Sequence, residues 1–179
     1  MIKQHAALNQ SGKESQANAR LTKWLEENPS DSATRLYLAG VYLAKKQYDA
    51  AIQQYQVILK DHPNHAATLN NLAWAYQQKK DPVALEYAEK AYQQAPDSPA
   101  ILDTLGWILV EQGDTARALP LLQRAASLAP DAAVIRYHFA ISLFKSGDKI
   151  NARKELEQLL ASGHSFSEMD DAKKLLSEL

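Results

Sequence analysis

Four prolines, Pro29, Pro63, Pro96 and Pro130, stand 34, 33 and 34 residues apart, and no other feature restricts the fold of this chain so severely. A period of this size is the mark of stacked helix pairs, because a single pair cannot bury its apolar flank alone and so packs against copies of itself. Each proline follows an alanine- and leucine-rich stretch with helical spacing. Each is therefore expected just past the end of a helix, where its missing N–H removes no ladder hydrogen bond.

Residue types recur in register with the prolines. From Ser32 the series is Leu38-Ala39, Tyr42, Ala51, Tyr55, Ile58 and Pro63; from Ala66 it is Leu72-Ala73, Tyr76, Ala84, Ala88, Ala91 and Pro96. From Pro99 it is Leu105-Gly106, Leu109, Ala118, Leu122, Ala125 and Pro130, and from Ala133 it is Phe139-Ala140, Leu143, Ala152, Leu156 and Leu159, with His164 in place of proline. The second copy is one residue short, in the turn around Lys80-Asp81-Pro82, where a loop absorbs a deletion more easily than a helix. Small residues on both helices of a pair let two backbones approach closely. Gly113-Asp114 and Gly147-Asp148 separate the helices of a pair, and Ser98-Pro99 offers an N-cap with proline at the first helical position. Pro120 lies about a turn inside its helix and is expected to bend it.

Composition narrows the chemistry. The 179 residues are 46% hydrophobic and carry 20 Lys and Arg against 21 Asp and Glu, a net charge of -1. A core can be buried, but no broad basic face exists to hold a phosphate backbone, so nucleic acid is not the expected partner. The absence of cysteine removes disulfides, thiol nucleophiles and cysteine-ligated metals. Charged or amide residues interrupt every apolar run before the roughly 18 residues a transmembrane helix needs, and the start, Met1 to Gln16, has no secretory-signal core, so any export signal is expected outside these residues.

The L-G-x-x-Y, A-x-x-x-F and terminal-P elements make the chain resemble a tetratricopeptide repeat (TPR) protein over nearly its whole length. The usual tryptophan is missing, with Arg35, Leu69, Leu102 and Arg136 in its place. The resemblance implies an all-α, right-handed superhelical solenoid of antiparallel helix pairs with a C-terminal capping helix. The expected divisions of this single domain are a partial repeat over 1-31, full repeats over 32-65, 66-98, 99-132 and 133-166, and the cap over 167-179. Ala17, Leu21 and Trp24 read as the second helix of a preceding repeat whose first helix survives as a stub from Ile2 to about Gln10, as if cut from a longer array. Met169, Ala172, Leu175, Leu176 and Leu179 form the single apolar stripe of the cap. More narrowly, LNNLAWAYQQ, AEKAYQQAPDSPAILDTLGWILVEQGD, IRYHFA and the pattern from Phe166 to Leu176 resemble the carboxy-terminal part of bacterial TPR lipoproteins associated with exosortase (PEP-CTERM) sorting. That likeness implies a bacterial envelope or periplasmic location, a link to exopolysaccharide, and no catalytic residues.

At about 100° per residue, the fourth, seventh, eighth and eleventh residues of each first helix face the core. The fifth, sixth and ninth then face the concave groove. They include Tyr37 in the first full repeat, Asn70, Asn71 and Trp74 in the second, Asp103, Thr104 and Trp107 in the third, and Tyr137 and His138 in the fourth. Trp74 and Trp107 occupy equivalent positions and are expected side by side, with polar neighbours, which is the make-up of a binding hot spot. Leu36, Gly40, Ala100 and Thr104 stand where capture of a free carboxylate would need basic or amide groups, so an apolar or basic segment is the expected guest.

Other chemistry is sparse. Lys45-Lys46 and Lys79-Lys80 form a small basic edge of helix-to-helix turns. His62, His65 and Asp61 share a loop but are not expected to hold a metal. No serine or carboxylate is fixed near His138 by sequence, and no glycine-rich phosphate loop is present. No cofactor, metal or catalysis is expected. The expected function is a non-catalytic scaffold that binds a polypeptide in the groove and organises a bacterial envelope complex. The alternative is a carbohydrate-contacting scaffold in exopolysaccharide assembly or export, with the indoles as stacking platforms.

Overall fold

The computed structural model describes residues 1–179 and contains eleven helices and no strand. The helices are α1 (Ile2–Gln10), α2 (Glu14–Glu27), α3 (Ser32–Ala44), α4 (Tyr48–Asp61), α5 (Ala66–Gln78), α6 (Val83–Gln94), α7 (Pro99–Glu111), α8 (Thr115–Leu128), α9 (Ala133–Lys145), α10 (Lys149–Ala161) and α11 (Met169–Glu178). Pro29, Pro63, Pro96 and Pro130 lie just beyond the ends of α2, α4, α6 and α8.

Caps set several of the starts. Asp31, His65, Asp114 and Asp148 each accept a backbone N–H from the third residue of the helix they precede, satisfying a donor that the first turn leaves unpaired. The turns inside the pairs close on a left-handed residue: Gly113 and Gly147 adopt φ of 84° and 91°, and Lys46 and Lys80 adopt φ of 57° and 56° at the equivalent places.

Packing follows the small residues. Ala39, Ala73 and Ala140 on first helices, and Ala51, Ala84, Ala118 and Ala152 on second helices, are all 0% exposed. Gly106 sits under Leu122, and a Cβ built there would stand 2.6 Å from Leu122 Cγ. Helix α8 runs through Pro120 unbroken, although proline cannot donate the i→i−4 bond to Ala116. First helices of successive pairs touch, α5 against α7 and α7 against α9, whereas the second helices make no comparable contact with one another. The stack therefore curls into a solenoid with the first helices on its inner wall. At the far end Ala172 is fully buried, and Leu175 and Leu176 of α11, with Leu179 just beyond it, cover Leu156 and Leu159. No helix is long and apolar enough to cross a membrane.

Candidate functional site

The inner wall is built from α3, α5, α7 and α9. Trp74 on α5 is 38% exposed and is the single aromatic among the large exposed apolar side chains. Its indole meets the Tyr48 ring edge-on at 6.1 Å. Trp107 on α7 is half-buried and lies flat against His138 of α9, with centroids 4.1 Å apart and planes at 16°. The two indoles, expected side by side from the repeat, do not stack on one another. Trp74 meets Tyr48 of the preceding pair, whereas Trp107 meets His138 of the following one.

His138 also has a carboxylate partner, contrary to the sequence expectation. Its Nδ1 lies 2.8 Å from Asp103 Oδ1, and the two side chains are only 12% and 15% exposed. A carboxylate only accepts, so Nδ1 carries the hydrogen and Nε2 is the free nitrogen. Asp103 Oδ2 has no partner within the chain and is not sealed from solvent. The fifth residue of one first helix thus reaches the sixth residue of the next. In the preceding interface the same two positions hold Asn70 and Thr104. Thr104 is 9% exposed and donates its hydroxyl to the Ala100 carbonyl at 2.9 Å, while Asn70 Oδ1 is buried without a partner. Asn71 is half-buried beside Tyr55, whose hydroxyl burial pushes up to about 12, with the Asn71 amide offsetting part of the rise.

Two wall candidates have other employment. Tyr137 is 7% exposed, beneath Phe166 and α11, with its ring 5.9 Å from that of Phe166. Burial pushes its hydroxyl up, and Asp171 and Glu168 of the capping segment add to the shift. The cap folds over this position, so Tyr137 serves the core rather than the groove surface. Tyr37 is claimed by α1: its hydroxyl lies 3.0 Å from His5 Nδ1, and the two rings meet edge to face at 5.3 Å. His5 itself is 1% exposed and also lies 2.9 Å from Asn18 Oδ1. The signal for it was one period away, since His5 precedes Ala39 by 34 residues and replaces a small residue of the seam.

Half of the basic edge is neutralised, as Lys45 pairs with Glu14 and Lys79 with Asp49, each across a repeat interface. His65 Nδ1 accepts the Thr68 backbone N–H at 3.2 Å and so is a helix cap. Two wide cavities lie away from the wall. One of about 690 Å³ runs past Gln123, Phe139 and Lys154, and one of about 740 Å³ past Tyr92, Pro120 and Arg124.

Tetratricopeptide repeat profiles match residues 8–73 and 109–176, and a second such profile matches 55–99. The TPR repeat-containing protein PA4667 of Pseudomonas aeruginosa is 31% identical over 129 residues, 70% of this chain and 22% of that protein. The type IV pilus assembly protein PilF of the same organism is 26% identical over 157 residues, 86% of this chain and 62% of that protein. This chain therefore spans about a fifth of the first relative and about three fifths of the second. Among solved structures, a tetratricopeptide repeat protein of Parabacteroides merdae superposes with a TM-score of 0.82 at 15% identity, covering 97% of this chain and 69% of that one. The Pseudomonas aeruginosa PilF structure superposes with a TM-score of 0.75 at 21% identity, covering 99% and 86%. With the profiles matching most of its length and its helices stacked in pairs, this chain belongs to the tetratricopeptide repeat family.

Proposed function

We propose that the chain is a non-catalytic scaffold that holds a polypeptide segment against the inner wall formed by α5, α7 and α9, and so helps to organise a bacterial envelope complex. The observation that carries this is Trp74, an indole 38% exposed on the inner wall of a fold that buries its other large aromatics more deeply. An exposed aromatic flanked by Asn70, Asn71 and Asp103 is the usual composition of an interface hot spot. The family supports the same view, since TPR proteins bind protein partners and are generally non-catalytic. The likeness to a protein named for type IV pilus assembly supports a place in an assembly at the bacterial surface. Sugar stacking is less well served, because a stacking platform needs an open indole face and His138 already covers one face of Trp107.

Affinity capture from the native host, with the intact chain and with Trp74→Ala and Trp107→Ala, tests the assignment. A protein retained by the intact chain is expected to be lost from both variants while their helical circular dichroism is unchanged. Equal retention by both folded variants places the binding surface elsewhere.

A further inference from the structure

Charge on the inner wall is lopsided. Helical periodicity turns the second, twelfth and thirteenth residues of each repeat to the same side as the fifth, sixth and ninth; of these residues in α3, α5, α7 and α9, Asp103 and Glu111 are acidic, and the one permanently basic side chain, Lys145, is directed to the Val110 carbonyl at 3.4 Å. Asp103 is held in a fixed orientation by His138 through one oxygen, leaving the other free. It sits one helical turn before Trp107 on α7, as Asn70 sits one turn before Trp74 on α5.

A preoriented carboxylate on α7, paired with α9 and one turn from the Trp107 indole, asks for a planar cation. A guanidinium can donate to Asp103 Oδ2 and to the remaining lone pair of Oδ1 while its flat face rests on an aromatic ring. An ammonium offers the charge without the plane, and it gives up a tighter hydration shell on entry. We infer that the groove recognises its polypeptide through an arginine side chain, whose guanidinium docks on Asp103 beside the Trp107 and Trp74 indoles. This inference rests on the groove being the binding surface.

The probe is the heptapeptide amide Ac-Ala-Ala-Leu-Arg-Leu-Ala-Ala-NH2, titrated into the full 15N-labelled chain. Two companion peptides carry lysine or citrulline, the neutral isostere of arginine, in place of the arginine. The three indole N–H signals are read separately, and Trp24, hydrogen-bonded to Asp31 on α2, is the internal control. The arginine peptide is expected to shift the Trp74 and Trp107 signals and leave Trp24 still. The citrulline peptide, and the arginine peptide on a folded Asp103→Asn variant, are expected to bind about tenfold more weakly or worse. Citrulline or lysine binding as tightly as arginine at the same two indoles overturns the guanidinium assignment while leaving the groove in place. Silence of both indoles with all three peptides at millimolar concentration also overturns it, and the groove itself then stands or falls on the tryptophan variants in host capture. Because the peptide comparison uses the unaltered chain, it decides the matter even if Asp103→Asn unfolds.

Discussion

His138 on α9 is clamped by Asp103 on α7, Nδ1 to Oδ1 at 2.8 Å, across the interface between two successive repeats. Both side chains are largely out of solvent, so removing one leaves the other without its partner in a poorly hydrated place. Asp103→Ala and His138→Ala are each expected to cost about 1 to 3 kcal/mol. Because both delete the same contact, the double variant should cost less than the sum, with a coupling of about 1 kcal/mol. Urea unfolding of the four proteins in the cycle measures it, and strict additivity would show that the pair contributes nothing at this interface.

Asp31 joins α2 to α3. Its carboxylate accepts the Thr34 backbone N–H at 3.0 Å, the Thr34 hydroxyl at 2.7 Å and the Trp24 indole N–H at 2.8 Å. The Thr34 N–H, then the indole, then the hydroxyl hold its pKa below the ordinary 3.8. A lowered value in the fold means that this stabilisation is complete above the ordinary carboxylate value and is lost as pH falls through it toward the lowered one. Asp31→Ala should cost about 1 to 2 kcal/mol at neutral pH, as loss of a good N-cap does. The penalty should shrink toward zero in acid. Tryptophan emission in a Trp74→Phe, Trp107→Phe background isolates Trp24; an Asp31→Ala penalty that persists undiminished at the lowest folded pH would contradict the assignment.

The left-handed turns offer a comparison inside one molecule. Lys46 and Lys80 are exposed, form no ion pair, and hold φ near +57° where Gly113 and Gly147 stand in the later repeats. A β-carbon makes that conformation costly by about 1 to 2 kcal/mol. Lys46→Gly and Lys80→Gly should therefore each stabilise the chain by about 0.5 to 1 kcal/mol net of the glycine's extra freedom when unfolded, and Gly113→Ala should destabilise it by a similar amount. Melting temperatures that move the other way would mean that the lysine stems contribute packing that outweighs the strain.

Gly106 has too little room for any side chain. A Cβ there meets Leu122 at Cγ, 2.6 Å away, and at Cδ2, 2.9 Å away. Gly106→Ala should cost about 1 to 3 kcal/mol through overpacking. In the Leu122→Ala background, which reproduces the alanine pair Ala73 and Ala88 of the second repeat, the same change should become neutral or favourable. Its sign then reflects only the better helix propensity of alanine, about 1 kcal/mol. A Gly106→Ala cost that is the same in both backgrounds would remove Leu122 as its cause.

What could be read from the sequence was what repeats. Proline spacing located the helix ends, and the recurrent alanines located the seam, where they are fully buried. Helical periodicity also gives the face a residue occupies, but not how far its side chain reaches. Periodicity therefore places Asp103 and His138 on the inner wall but gives no sign that they meet 35 residues apart. Features that do not repeat escaped in the same way. The period places Tyr137 on the wall, but the capping segment, which has no counterpart in the other repeats, folds over it. His5 breaks the pattern from the other end by putting an imidazole where later copies keep alanine or glycine.

The cap tests the one-dimensional character of the stack directly. Ala172, Leu175 and Leu176 of helix α11, with Leu179 just past its end, join a cluster with Tyr137, Ala140, Leu156 and Leu159 of α9 and α10, and no residue of the earlier pairs belongs to that cluster. In an array stabilised by each pair and its immediate neighbours, loss of a terminal cover weakens the adjacent pair most, and the effect fades with distance. A chain ending at residue 167 should therefore show a steep fall in amide exchange protection across α9 and α10. The fall across α7 and α8 should be smaller, and α3 to α6 should change little. The uncovered Leu156 and Leu159 should also make the shortened chain self-associate as its concentration rises. A uniform loss of protection from α3 to α10 would mean that the helices fold as one cooperative globule, and the neighbour-by-neighbour account of how this sequence holds its fold would fail.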